Sequence, residues 1–384
     1  MYCLRVLGSL ATLALLSFAL VPLSGASLAS HTPIHISGNA DFTASNGVTG
    51  GSGTANDPYV IEGWDITEVN VPLDYGIWLE NTNAYVVIRN CLISQYTGIR
   101  LEHVANVIVE NVTVMGGENS IYVYYSKNLV ASNCDLGHCH GDVVQLTWST
   151  NIALTGCKIG DGRYHSVYMQ HVNDSTVENC DIYDSVYGIY AESSERLSIS
   201  YCNIHDNSNG IYLYVTTNIT ISNCQILSNQ HGVYLDSSDH VRMEYCDLKN
   251  NSLGIWLNPA FNCETHYNNF NNTYGNAQDD GQQNNWDRNY WSDYKGVDAN
   301  NDGYGDTPYN IIGSANAKDN TPLMQVIPEF PNLLILLLTT TLLGITVSAL
   351  KKRLSIKQQT TKTKMILSIT TSINHYKSIE NCYF

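Results

Sequence analysis

The sequence predicts an all-β protein: a single-stranded, right-handed parallel β-helix of about ten rungs, with a C-terminal cap and a transmembrane helix. Three observations carry this expectation. One pattern begins again at Gly76, Gly98, Ser120, Val143, Ser166, Gly188, Gly210, Gly232 and Gly254, a near-constant interval. Within each copy the apolar residues alternate with period two, as in strands and not in helices. Gly and Asn interrupt each copy between its three short apolar runs.

Three short strands in so short a repeat form one coil of a solenoid, each strand pairing with its equivalent in the next coil. In the copy from Gly210, Ile211 and Leu213 belong to the first strand, Ile219 and Ile221 to the second, and Cys224 and Ile226 to the third. The right hand follows from the general rule for parallel crossovers. Rungs about 4.8 Å apart would turn each column of the repeat into a continuous ladder.

In chain order, residues 1–30 read as a secretory signal peptide, with Arg5, an apolar stretch and a small-residue site near Ala29. Residues 31–58 are expected to cap the rod, 59–275 to form the β-helix, and 276–327 to form a C-terminal cap with a Ca²⁺-type loop. Residues 332–350 are apolar and long enough to span a bilayer. The "KKR" that follows assigns residues 351–384 to a basic cytoplasmic tail and the rod to the outside.

The net charge is −16, although seven of the 19 Lys and Arg residues lie after Leu350. So acidic an outer part repels phosphate backbones, which excludes nucleic acid as a partner.

Cys91, Cys134, Cys157, Cys180, Cys202, Cys224 and Cys246 share one column of the repeat. Val112 and Trp64 occupy the same column in other copies, which marks an apolar core slot and favours a buried thiol ladder. Disulfides or a metal are the alternatives. An Asn column, Asn106, Asn128, Asn151 and Asn218, is expected to bond along the rod at a turn and to satisfy buried backbone groups.

Two outward columns of the first strand could carry function. One includes Tyr168, Tyr190, Tyr212, Tyr234 and Trp256; its neighbour includes Glu192 and Asp236. Sugar rings stack on aromatic faces and bond to carboxylates, so this pattern predicts a carbohydrate-binding strip. The alternative is that aromatic residues favour strands and stack between rungs. Glu80 and Glu102, on adjacent rungs beside Arg100, are the candidate catalytic pair, at the separation used by retaining glycosidases. A partly neutralised surface column is the simpler view.

Two metal sites are candidates. Asp298, Asn300, Asp302 and Asp306 in "DANNDGYGD" resemble the start of a Ca²⁺ loop, although Tyr309 stands where a bidentate Glu would close it. "GHCHGD" places His138 and His140 around Cys139 with Asp142 in the same turn, and His165 lies at a similar turn one rung later; imidazole and thiolate together favour copper or zinc, with solvated turn histidines as the alternative.

The repeats, the opening "GNADFTASNGVTGGSGTANDPYVIEGWDI" and the closing "NNWDRNYWSDYKGVDANNDGYGDTPYNI" resemble archaeal NosD-like surface proteins. The resemblance implies a right-handed parallel β-helix related to copper-binding NosD and to carbohydrate-binding and sugar hydrolase domains. "IPEFP" before the apolar span looks like a PEF-type sorting signal, although the chain continues from Leu354 to Phe384 beyond the basic cluster. No fixed copper motif carries over, so His138 and His140 rest on spacing alone. The expected function is an exported, membrane-anchored surface protein that binds glycans or other surface polymers. A polysaccharide lyase or hydrolase, and a copper-binding accessory protein, are the alternatives.

Overall fold

A computed structural model describes residues 28–67 and 74–328 of the 384-residue chain. The predicted transmembrane span and basic tail, and residues 1–27 of the predicted signal peptide, lie outside the described residues. Among the described residues no helix is long and apolar enough to cross a membrane.

The repeating unit folds as one turn of three strands. In one unit these are Asn209–Tyr214, Thr217–Ser222 and Gln225–Leu227. Equivalent residues of successive turns pair in parallel: Ile211 with Val233, Tyr212 with Tyr234, Ile219 with Val241, and Ile226 with Leu248. The result is a solenoid with three faces, called first, second and third after the strands that build them. The third face stacks 12 strands.

Alternation decides what faces inward. Ile189, Ile211, Val233 and Ile255 form one buried column, and Ile199, Ile221 and Met243 another. Each such side chain contributes on the order of 1.5–3 kcal/mol by burial. All seven column cysteines are buried and free. Cys202 shows the local chemistry: its Sγ lies 3.3 Å from the carbonyl oxygen of Ser200 and 3.5 Å from that of Val177, one turn back. Burial pushes the Cys224 thiol well above its ordinary pKa, so it stays protonated and inert.

Tight stacking also explains the glycine column. A Cβ on Gly210 would lie 2.6 Å from the carbonyl oxygen of Gly232 in the next turn. Ser120, Val143 and Ser166 replace glycine where the repeat lengthens. The third-face strands there, Asp135–Cys139 and Lys158–Gly162, have five residues in place of the three in Gln225–Leu227.

Corners are built from left-handed residues and hydrogen-bonded ladders. Three members of the expected Asn column form a ladder: Asn128 donates to Asn106 (3.0 Å) and Asn151 to Asn128 (2.8 Å), each with φ near +60°, whereas Asn218 is separated from them by the bonded pair Asp174 and Arg196. The ladder lies on the outside of the corner, not among buried backbone groups. The interior role falls to other residues. Asn207, Asn229 and Asn251 are buried, and the side-chain oxygen of each next Asn accepts the backbone N–H of the one before it, at 3.0 Å for Asn207 to Asn229 and 2.9 Å for Asn229 to Asn251. At the opposite corner buried Ser residues do the same, as where the Ser149 hydroxyl accepts the N–H of Ser126 at 3.0 Å.

The solenoid exceeds the sequence-predicted bounds at both ends. Ala29–Ser30, assigned by sequence to the leader, pairs with Trp64 and Asp65. Ile34–Ser37 pairs with the strand Tyr75–Thr82, so residues 31–58 contain a first-face strand as well as two short 3₁₀ turns. At the other end, parallel pairing runs past residue 275 to Asn285–Asp287 and Tyr290–Trp291. Trp286 and Trp291 fill the interior there in place of aliphatic residues.

The final buried side chain of the stack is Asp319. Its carboxylate accepts the N–H groups of Arg288 (3.1 Å), Asn289 (2.9 Å) and Thr321 (3.0 Å), and the indole N–H of Trp291 (3.0 Å). It thereby closes the ladder in which Asn268 and Asn289 accept the N–H groups of Cys246 and Asn268. A rod end needs such partners, because its last backbone groups have no next turn to pair with.

Candidate functional site

The outward columns of the first face run the length of the rod. Tyr168, Tyr190, Tyr212, Tyr234 and Trp256 stand in register and are half-buried. Ring centroids lie 5.6, 5.2, 4.8 and 4.8 Å apart along this series. Most are stacked; Tyr212 meets Tyr234 edge-on. The ring faces therefore largely cover one another. What points outward is a rail of ring edges and hydroxyls, not a row of open stacking faces.

That rail is tied to the neighbouring column. Tyr168 donates to Glu192 (3.4 Å), Tyr212 to Asp236 (3.2 Å), and the Trp256 indole to Asp280 (3.0 Å). Asn258 donates to the Tyr234 hydroxyl at 2.7 Å. Burial first, then the adjacent carboxylates, push Tyr168 and Tyr190 up to about 12. These phenols stay protonated at any working pH and stand beside a column of carboxylate acceptors and one amide donor.

At the N-terminal end of this face, Glu80 and Glu102 pair on adjacent strands, and Trp78 pairs with Arg100. Each carboxylate has its own partner: Arg100 donates to Glu102 at 2.8 Å, and the His35 ring lies 3.0 Å from Glu80. The Arg100 guanidinium also sits 4.7 Å over the Trp78 ring. The candidate pair is thus brought together, with a basic side chain on each member.

A second constellation pairs two residues that the sequence groups with the candidate metal histidines, Asp142 and His165. His165 begins the first-face strand His165–Gln170. Its Nδ1 lies 2.6 Å from a carboxylate oxygen of Asp142, and both side chains are mostly shielded. The ring stacks on Tyr187 at 5.0 Å and lies 5.1 Å from Tyr168 and Tyr190. A carboxylate on Nδ1 fixes the tautomer and leaves Nε2 as the acceptor, an arrangement suited to taking up a proton. Asp142 and His165 stand on successive turns, where the repeat is longer.

"GHCHGD" does not converge. His138 and His140 are exposed, and His138 pairs with Asp161. Cys139 points inward, its sulfur 3.3 Å from the Ser120 hydroxyl. Alternation along a strand sends neighbours to opposite faces, which separates the thiol from the imidazoles. Among the described residues no three His, Cys, Asp or Glu side chains group closely enough to hold a metal ion.

In the 298–306 loop the side chains turn onto their own backbone. Asp298 accepts the N–H groups of Asp302 (3.1 Å) and Gly303 (2.9 Å), Asn300 that of Asp302 (3.0 Å), Asp302 that of Tyr304 (2.9 Å), and Asp306 that of Ala299 (2.7 Å).

The model of the family described as "right handed beta helix region" matches residues 48–173 and 143–290. The chain belongs to this family. No curated relative matches the sequence. Solved structures similar to this β-helix include the A-module of mannuronan C-5 epimerase AlgE4 from Azotobacter vinelandii, at 13% identity and TM-score 0.41, covering 59% of this chain and 84% of that one. Tailspike protein 2 of Escherichia coli O157:H7 bacteriophage CAB120 is similar at 11% identity and TM-score 0.47, covering 67% of this chain and 42% of that one. PfbA, a surface adhesin of Streptococcus pneumoniae, is similar at 9% identity and TM-score 0.41, covering 57% of this chain and 72% of that one. Such distant likenesses say nothing about what this right-handed β-helix binds or does.

Proposed function

We propose that this protein is an exported, membrane-anchored β-helix that binds glycan chains along its first face in a structural or adhesive role. One observation carries the reading: phenol and indole groups bond in register to carboxylate and amide groups one turn on, from Tyr168 to Asp280, Tyr168, Tyr212 and Trp256 as donors and Tyr234 as acceptor. Rungs about 4.8 Å apart repeat these polar groups along the rod, at intervals comparable to the size of one sugar ring. The export signal, the apolar span at 332–350 and the resemblance to NosD-like surface proteins support the location.

The test is binding of the full-length protein to an array of polysaccharides, repeated with Tyr190→Ala and Glu192→Gln. Each variant is expected to weaken binding about tenfold, the equivalent of about 1.4 kcal/mol. An array on which wild type and both variants behave alike rules the reading out.

The Asp142–His165 pair favours a second reading, a polysaccharide lyase or hydrolase. His165 would take up a proton at Nε2, with the neutral Tyr168 hydroxyl beside it as a donor. Loss of depolymerising activity in His165→Gln, with Glu80→Gln and Glu102→Gln unaffected, would identify it. Ca²⁺ binding by Asp298, Asn300, Asp302 and Asp306 is a further part of the proposal. It predicts a melting temperature that rises with added Ca²⁺ in wild type and not in Asp302→Ala.

A further inference from the structure

The corner between the first and second faces carries an unbroken run of rings. At this corner successive turns place one residue in the left-handed region: Asn81 (φ 54°), His103 (51°), Tyr125 (45°), Trp148 (50°), His171 (53°), Ser193 (49°), Val215 (53°) and Ser237 (52°). Asn tolerates that conformation because its short amide bonds locally; bulky aromatic residues do not favour it. Yet four consecutive turns use His103, Tyr125, Trp148 and His171, while the backbone is the same at Asn81, Ser193, Val215 and Ser237. The fold does not demand rings here.

These rings form a stack of their own. His103 and Tyr125 lie 5.5 Å apart, Tyr125 and Trp148 5.7 Å, and Trp148 and His171 3.9 Å. Stacking returns part of the conformational cost, but Tyr125 and Trp148 remain 46% exposed. Beside them runs a groove of about 530 Å³, lined on its far side by Asn83, Ser126, Lys127 and Thr150. Among the described residues no carboxylate lines it, in a chain whose net charge is −16.

We infer that this corner groove is a second glycan-binding site, distinct from the first face. Its chemistry commits it to a sugar chain laid along the rod. The Tyr125 hydroxyl, the Trp148 indole N–H and the amide and hydroxyl groups at rung intervals meet sugar hydroxyls, the ring surface left open by the stack meets pyranose C–H groups, and Lys127 accommodates an acidic group if the chain bears one. A protein partner would be expected to need a larger apolar centre than two half-exposed rings. Four left-handed rings in succession beside an open groove set this corner apart from the next, where Asn223 interrupts Tyr201, Tyr245 and Tyr267.

The experiment uses the full-length protein with two probes, a neutral β-linked hexasaccharide and a hexauronate. Calorimetry and the change in Trp148 fluorescence report binding. Tyr125→Asn and Trp148→Asn install the residue this backbone prefers. They are expected to weaken binding of at least one probe tenfold or more while the melting temperature holds or rises. Lys127→Ala should weaken the hexauronate alone. The signal should persist in Tyr190→Ala and Glu192→Gln, which separates this site from the first face. Failure of both probes to bind, binding untouched by both Asn variants, or loss of binding only in step with melting temperature would each overturn the proposal, the last by assigning the stack to folding.

Discussion

Asparagine ladders run along this rod in two settings, outside and inside its corners, and they do different things. Asn106, Asn128 and Asn151 bond side chain to side chain on the outside of a corner. Asn207, Asn229 and Asn251 lie inside another, where each side chain also serves the backbone: the Asn229 oxygen accepts the N–H of Asn207, and its amide donates to the Ile204 carbonyl at 3.1 Å. One residue type at one spacing thus builds an ornament of the surface in one place and part of the buried hydrogen-bond network in the other. What separates them is whether water can replace the partner when the side chain is removed.

Removing the carboxylate that ends a further interior ladder, the one through Asn268 and Asn289, is expected to cost most. Asp319→Ala strands the N–H groups of Arg288, Asn289 and Thr321 and the indole of Trp291. A loss of about 4 kcal/mol is expected from denaturant melts, since each buried orphan costs about 1–3 kcal/mol and water recovers some at the rod's end. Asn229→Ala should follow at about 3 kcal/mol, because it orphans the Asn207 N–H and the Ile204 carbonyl in mid-rod. Asn128→Ala should cost about 1 kcal/mol or less, mostly through a lost left-handed preference. If Asn128→Ala and Asn229→Ala cost the same, the distinction between the ladders collapses.

The smallest effect concerns acid. Asp280 takes the backbone N–H of Ser314 and the Trp256 indole, and these hydrogen bonds hold its pKa below the usual carboxylate range. A depressed folded-state pKa gives stability that is present above the unfolded value, about 3.9, and lost as pH falls through the folded one. The gap in stability between wild type and Asp280→Ala should therefore narrow as pH is lowered below about 4, as read from urea melts across that range.

Much of the architecture was legible because the repeat is close to strict: its regular spacing settles which residues stack, and the cysteine and tyrosine columns follow. The interior Asn ladder was not legible, since nothing in its spacing distinguishes it from the outer one; depth is set by the corner each occupies. Asp142 and His165 were legible as neighbours on successive turns but not as a bonded pair against the tyrosine rail, because His165 begins a first-face strand where the sequence suggested a turn. His138, Cys139 and His140 misled for the opposite reason: neighbours in sequence part company on a strand. The Trp286 and Trp291 region read as a cap because its composition changes, yet strand pairing continues while indoles replace Ile and Val.

The aligned thiols give the molecule a built-in ruler. Cys91, Cys134, Cys157, Cys180, Cys202, Cys224 and Cys246 mark stations from one end toward the other, each sealed from reagents while its turn stays shut. In mild urea, the order in which they take up an alkylating label would therefore record which extremity unzips first and how far the opening travels.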